Sequence, residues 1–256
     1  MANVILKVAN LCKYFGGVVG IEEVSFELKE GELLGIIGPN GAGKTTLINL
    51  ITGFVKADKG KVIFKGRDIT NLPPWKIAQL GIVRTFQLVK PFYRLPAYKN
   101  LVVALCSPRV KTFRGGKYGK RDETALNLLE DVGFERDSAV PYKQASDLPH
   151  GYLKRLELAR CLALRPEVLI LDELFSGMSI AELGSTLPII KRFKEEGKGV
   201  IMVEHRLKEL FEVADRVIVL NFGKIIAEGT TYEILENEDV RSAYLGAEEE
   251  EEAINA

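Results

Sequence analysis

The sequence predicts an α/β fold: a phosphate-binding loop set in a core with a mainly parallel sheet, an antiparallel β portion near the N-terminus, and an inserted helical portion. Three observations carry this. Residues 38–46 read Gly-Pro-Asn-Gly-Ala-Gly-Lys-Thr-Thr, a match to G-x-x-x-x-G-K-[ST], between an apolar run and a helix-forming one. Beyond residue 150, short apolar strands alternate with helical stretches at the lengths that build a parallel sheet. With 46% apolar and 27% charged residues over 256 positions, the chain can bury a sizeable core.

Taken in order, residues 5–9 form a short apolar strand and residues 24–28 (Val-Ser-Phe-Glu-Leu) alternate with period 2. Residues 60–64, closed by Lys65-Gly66-Arg67, complete an antiparallel group beside the core. Between them Leu33-Leu34-Gly35-Ile36-Ile37 reads as a buried strand, and Thr46 to Ile51 continues the loop as a helix. The apolar segment 80–86 leads into Gln87. Residues 88–150 differ: Pro91, Pro96, Pro108 and Pro141 punctuate helical stretches at 96–105 and 122–132, so this is the inserted helical portion, with the core at 1–87 and 151–246. The core resumes with a helix over 152–164, a strand over 168–171, a helix over 180–196 and a strand over 200–203. Residues 216–220 and 224–228 flank Asn221-Phe222-Gly223 as a hairpin. Residues 247–256 include five consecutive glutamates, a self-repelling tail expected to be disordered.

Composition narrows the function classes. Basic and acidic residues balance at 35 each, which gives no global reason to expect nucleic acid. The longest unbroken apolar run, 101–106, falls far short of the ~20 residues that span a bilayer. The N-terminal residues lack the charged and apolar regions of a signal peptide, and Cys12, Cys106 and Cys161 are too dispersed for a metal site. Three unpaired cysteines fit a reducing cytoplasm, each as a small core residue.

The loop defines the chemistry. Gly38, Gly41 and Gly43 let backbone N–H groups turn inward around phosphate oxygens, and the helix starting near Lys44 adds roughly half a positive charge at its N-terminus. Lys44 supplies a point charge to the outer phosphates, and the Thr45 hydroxyl suits Mg²⁺. Kinases, GTPases, helicases and transporters all remain open at this point. Asp172 and Glu173 end an apolar strand at the carboxyl edge of the sheet, where ligands of open α/β sheets bind. Asp172 fits the Mg²⁺-associated acid; Glu173, pointing differently, can take a proton from an attacking water. A second strand ends in Glu204-His205, and a third in Gln87.

In order and spacing these residues resemble the ATP-binding cassette family, the ATPase subunits of ABC transporters, over nearly the whole chain. The resemblance implies a P-loop NTPase core binding ATP and Mg²⁺ through Gly38, Pro39, Asn40, Gly41, Ala42, Gly43, Lys44, Thr45 and Thr46. It implies that Phe15, or Tyr14 as second choice, stacks on adenine; that Gln87 is the Q-loop glutamine sensing Mg²⁺; that Glu173 is the catalytic carboxylate; and that His205 is the switch histidine. The family's signature segment falls at Leu148-Pro149-His150-Gly151-Tyr152. Segments 81–87, 156–160, 219–229 and 244–246 look like the LivG-type subunit of branched-chain amino acid transporters. The family stacks two cassettes head to tail, each ATP lying between one phosphate loop and the partner's signature helix. The implied partners are transmembrane permease subunits, a second ATPase subunit in a homo- or heterodimer and, indirectly, a solute-binding protein, with the chain on the inner face of the cell membrane.

Three positions depart from the family pattern. Pro149 replaces a serine whose hydroxyl reaches the γ-phosphate, although proline suits a helix's first turn; Leu174 replaces a proline; Ser179 stands where Asp or Asn is common. Six basic residues from Arg109 through Arg121, without an acid in between, read as a solvated loop, with anionic lipid or an acidic partner face as the functional alternative. Two other classes compete: a soluble cassette ATPase of DNA repair or translation, disfavoured because one cassette fills the chain, and a hydrolysis-poor regulatory subunit, disfavoured by Glu173 and His205.

Overall fold

The computed structural model describes residues 3–113 and 121–243. Two sheets organise the chain. The antiparallel one contains β1 (Val4–Phe15), β2 (Val18–Lys29), β4 (Lys59–Phe64) and β5 (Arg67–Asp68) in the order β2-β1-β4-β5. The other contains β3 (Leu33–Ile37), β6 (Ile82–Arg84), β7 (Val168–Asp172), β8 (Gly199–Val203), β9 (Arg216–Asn221) and β10 (Lys224–Gly229), ordered β10-β9-β3-β8-β7-β6. Its pairings are parallel except that edge strand β10 runs antiparallel to β9. The helices are α1 (Lys44–Ile51), α2 (Pro74–Leu80), α3 (Ala97–Leu105), α4 (Pro108–Phe113), α5 (Arg121–Asp131), α6 (His150–Ala163), α7 (Ile180–Glu195), α8 (Leu207–Val213) and α9 (Thr231–Glu236).

The central strands are continuous apolar runs because both of their faces are covered. Alternation divides them cleanly. Leu33 and Ile37 of β3, Leu169 and Leu171 of β7, and Val200 and Met202 of β8 join one core that runs through α3, α5, α6 and α7. Leu34 and Ile36, Val168 and Ile170, Ile201 and Val203 join the other, shared with α1 and the antiparallel sheet. One face of the parallel sheet therefore carries the helical layer, and the opposite face carries α1 and the first sheet. The chain has a mainly parallel α/β core, as its strand–helix alternation predicts.

Several details differ from the sequence reading. The first two strands are twice the expected length and form a long hairpin, because bulges in their register let polar stretches continue the ladder. Short helices α2, α4, α8 and α9 were not anticipated. The helix expected from residue 152 begins at His150, and its side chains pack with α3 and α5, so the helical layer extends past residue 150. Cys12 and Cys161 are buried as expected, but Cys106 is exposed, at the C-cap of α3. Arg109 is no solvated loop residue: it donates to the carbonyls of Leu80, Leu164 and Arg165 and pairs with Glu167. The side chain of Lys111, residues Arg114, Lys117 and Lys120, the segment 244–246 and the tail 247–256 lie outside the described residues.

Sheet order puts the carboxyl end of β3 between β8 and β9, with β7 next beyond β8. The loop after β3 is pinned there by a close backbone approach: Gly38 has φ 152°, and a Cβ on it would lie 2.1 Å from the carbonyl oxygen of Leu220 in β9. Gly38→Ala should therefore destabilise the fold by about 1–3 kcal/mol, read as a melting temperature lowered by roughly 2–4 °C per kcal/mol; an unchanged melt would show that the loop does not depend on this contact.

Candidate functional site

Four chain segments meet at the carboxyl edge of the parallel sheet. From β3 comes the loop 38–46. Gly43 caps α1 in a left-handed conformation, φ 104°, with a Cβ position only 2.7 Å from the carbonyl oxygen of Gly20. The cap supplies no side-chain acceptor to the first turn of α1, so the positive end of that helix faces the loop. Lys44 is 7% exposed, and its ammonium donates to the carbonyls of Gly38 (2.6 Å) and Pro39 (2.9 Å). Burial lowers its pKa, while Glu173 and Asp172 act in the opposite sense.

From β7 come Asp172 and Glu173. Asp172 is 2% exposed and its Oδ2 is 2.5 Å from Nη2 of Arg84, itself buried at the end of β6. Burial raises the Asp172 pKa and lowers that of Arg84, and each partner works against the other's shift. Arg84 also donates to Asn49 of α1 at 2.6 Å and lies against the rings of Phe54 and Phe86. Asp172, Thr45 and Gln87 line one cavity of about 790 Å³. Carboxylate, hydroxyl and amide are oxygen donors suited to a hard divalent cation, and Asp172 keeps an oxygen beyond the one facing Arg84.

Glu173 turns away from Asp172 because its backbone is left-handed, φ 49°. Its carboxylate is held from two sides: Gln87 Nε2 donates to Oε2 at 2.8 Å, and His205 Nε2 lies 3.1 Å from Oε1. Gln87 follows β6 and His205 follows β8, so each adjoining strand of β7 contributes one neighbour. The structure thus brings together Lys44, Thr45, Gln87, Asp172, Glu173 and His205. A half-exposed histidine next to a 14%-exposed carboxylate is an arrangement able to orient a water and accept its proton.

Phe15 and Tyr14 end β1, both exposed. The Phe15 ring folds over Gly20, which abuts Gly43, so this ring borders the loop. Tyr14 is instead tied through its N–H to Asp58. The segment Leu148–Gly151 is not part of the cluster. Its neighbours include Gly177, against His150, and Glu182, against Gly151, and neither belongs to the loop 38–46. Pro149 is the N-cap of α6 and not a residue of its first turn, so the cap has no hydroxyl to offer. Ser179 is occupied within its own element: it caps α7 in a reciprocal capping box with Glu182.

Sequence reasoning missed Arg84, Lys154 and Glu157, and named Glu204 only as a strand end. Arg84 interrupts an apolar strand, and Lys154 falls on the stripe Gly151, Leu158, Cys161 that faces the core; a charge on an apolar face was the available signal. Glu204 accepts from the N–H of Phe175 and Glu157 from that of Phe86, and burial lifts both carboxyls to about 7. Among the described residues no three His, Cys, Asp or Glu side chains form a metal cluster, and no helix is long and apolar enough to cross a membrane.

Comparison with known proteins gives this geometry a family. Residues 21–176 match the ABC transporter model, and residues 224–250 match a model described as branched-chain amino acid ATP-binding cassette transporter. The chain is 38% identical to a probable branched-chain amino acid transport ATP-binding protein LivG of Archaeoglobus fulgidus, covering 96% of this chain and 97% of the relative. It is equally identical to the high-affinity LivG protein of Salmonella typhimurium, over 96% of this chain and 99% of that one. A crystal structure of the ADP conformation of an ABC transporter cassette superposes with a TM-score of 0.82 at 34% identity, covering 95% and 99% of the two chains. The chain accordingly belongs to the ABC transporter family, as one of its ATP-binding subunits.

Proposed function

We propose that this subunit is the energy-coupling ATPase of an importer for branched-chain amino acids, with Glu173 as the base that activates the attacking water. The observation that carries the mechanism is the suspension of the Glu173 carboxylate between Gln87 and His205, at the strand edge shared with the phosphate loop. In this reading the N–H groups of residues 38–46 and Lys44 hold the phosphates, and Phe15 lies along the adenine. Thr45 and Asp172, with Gln87 beside them, would hold a magnesium ion, which when bound offers positive charge to the phosphate oxygens. Glu173 takes the water's proton while His205 and Gln87 keep its oxygens aimed.

The site is half of a composite one. The first turn of α6, with the N–H groups of His150, Gly151 and Tyr152, is turned to neighbours other than its own loop, which supports a head-to-tail pairing in which it meets the nucleotide of a second ATPase subunit. Permease docking is supported by the groove between α2, the segment after β6 and α3: Phe54, Trp75, Phe86, Leu88, Phe92 and Val103 all line it and all are exposed. That groove adjoins Gln87, so the docked segment and the catalytic carboxylate share a neighbour. The branched-chain cargo rests on the relatives alone, and with it the peripheral position on the inner membrane face and the indirect link to a solute-binding protein.

Glu173→Gln preserves shape and the Gln87 and His205 contacts but removes the base. Turnover should fall by about 10²- to 10⁴-fold with ATP affinity retained, and a variant that hydrolyses like the wild type would remove Glu173 from the mechanism. Purification from native membranes should bring down two permeases and a second cassette; recovery of ribosomes or DNA instead would overturn the transport reading. A pH signature follows from Glu204. Its pKa is about 7 in the fold against an ordinary 4.5, so the folded chain holds this proton more tightly than the unfolded one. Stability associated with it is complete below about 4.5 and lost as pH rises through about 7. Denaturant titrations from pH 4.5 to 8 should show the wild type losing stability relative to Glu204→Gln, which keeps an acceptor for Phe175; parallel curves would refute the shift.

A further inference from the structure

Lys154 is 1% exposed, and nothing in the mechanism above uses it. It projects from the second turn of α6, and its ammonium donates to two main-chain carbonyls, those of Gln87 and Glu173, each at 3.0 Å. These are the two residues whose side chains bond each other across the site. A buried ammonium is retained only where acceptors and opposite charge offset its lost hydration. Here both are present: its positive charge acts on the buried carboxyls of Glu157, Asp172 and Glu204, favouring their ionised forms.

The backbone it grips is not relaxed. Glu173 is one of the few non-glycine residues with positive φ, a conformation costing on the order of 1 kcal/mol unless the surroundings impose it. Its own N–H bonds the carbonyl of Val203 at 2.9 Å, and its carbonyl accepts from Lys154 as well as, at 3.3 Å, from the N–H of Ser176. The first ties Glu173 to β8, and the bond from Lys154 ties it to α6.

We propose that Lys154 is a positioning residue for hydrolysis, setting the Glu173 and Gln87 side chains by holding their carbonyls and so making the placement of the carboxylate depend on how α6 is seated. This rests on the reading of Glu173 as the base. In this role Lys154 acts through the two backbones it bonds. Because the first turn of the same helix is the segment proposed to meet the partner's nucleotide, one rigid element would report on one ATP while adjusting the base for the other.

The test is a double-mutant cycle on the full-length chain with ATP as substrate. Lys154→Met should lower kcat by about 10²-fold, the scale of a misplaced catalytic group, while KM and the affinity for a non-hydrolysable ATP analogue stay within about twofold. Lys154→Arg, which keeps charge and donors, should recover most of the loss. In the Glu173→Gln background Lys154→Met should change the rate by less than about twofold, since no carboxylate remains to be placed. Losses that multiply in the double variant, a defect confined to KM, or wild-type kcat in a folded Lys154→Met chain would each overturn the proposal. Should Lys154→Met prove unfolded by its circular dichroism melt, Lys154→Arg carries the same cycle: no recovery of kcat in that folded variant overturns it. If Glu173→Gln itself hydrolyses normally, the role of Glu173 fails, whatever Lys154 does.

Discussion

The ion pair between Arg84 and Asp172 is the constraint to which the rest of the site is fitted. Both side chains are almost wholly removed from water, and neither is affordable there alone: losing one partner of a buried pair typically costs about 3–5 kcal/mol, because the survivor keeps its charge without compensation. Arg84 is further committed to Asn49 of the helix that follows the phosphate loop and to the rings of Phe54 and Phe86. Asp172 is committed by its N–H, which bonds the Thr85 hydroxyl, while the Thr85 N–H returns to the carbonyl of Ile170. The apolar groove and the phosphate-binding edge are therefore not independent surfaces. They share one guanidinium, which forms part of the groove's lining and faces an acid at the other end.

Around that pair the parallel sheet acts as a convergence device. Residue types that would be unremarkable on a surface become a site because β3, β6, β7 and β8 all end at one edge. Burial is severe enough there to lift Glu157 and Glu204 to near neutrality, and each carboxyl accepts a main-chain N–H that would otherwise be orphaned. The polar groups of the edge are largely spent on holding loops in place. Glu173, poised between an amide and an imidazole, is less deeply enclosed than Asp172.

The sequence made some of this plain and concealed the rest for physical reasons. Strands β3, β7 and β8 were legible because a strand covered on both faces has to be an unbroken apolar run, and the loop was legible because its glycines and lysine have fixed spacing. Gln87, Asp172, Glu173 and His205 could be expected to meet because strand ends point one way. What stayed hidden was mostly charge in unexpected places. A lysine or arginine is ordinarily read as solvated: Arg109 was expected in a solvated loop, and the burial of Arg84 within the segment 80–86 and of Lys154 within the helix 152–164 carried no separate signal beyond a charge on an apolar face. The short helices escaped for want of length, even where Thr230 and Glu233 spell out a capping box in plain view. Pro149 misled differently: proline is at home both at a helix cap and inside the first turn, and only the fold tells them apart.

The contact between Glu182 and Gly151 bears on how this chain can move. A Cβ on residue 151 would lie 1.7 Å from the Glu182 carboxylate, so any side chain there would have to displace that carboxylate. The same carboxylate closes the cap of α7 with Ser179 and lies within ion-pairing reach of Arg155, one turn along α6. Two helix starts are thus keyed into one corner, sharing a single anion. A tilt of α6 against α7 would draw Arg155 away from the carboxylate that also completes the α7 cap. The start of α6, proposed above to meet a second ATPase subunit, is in that sense fastened to the start of α7 by one carboxylate.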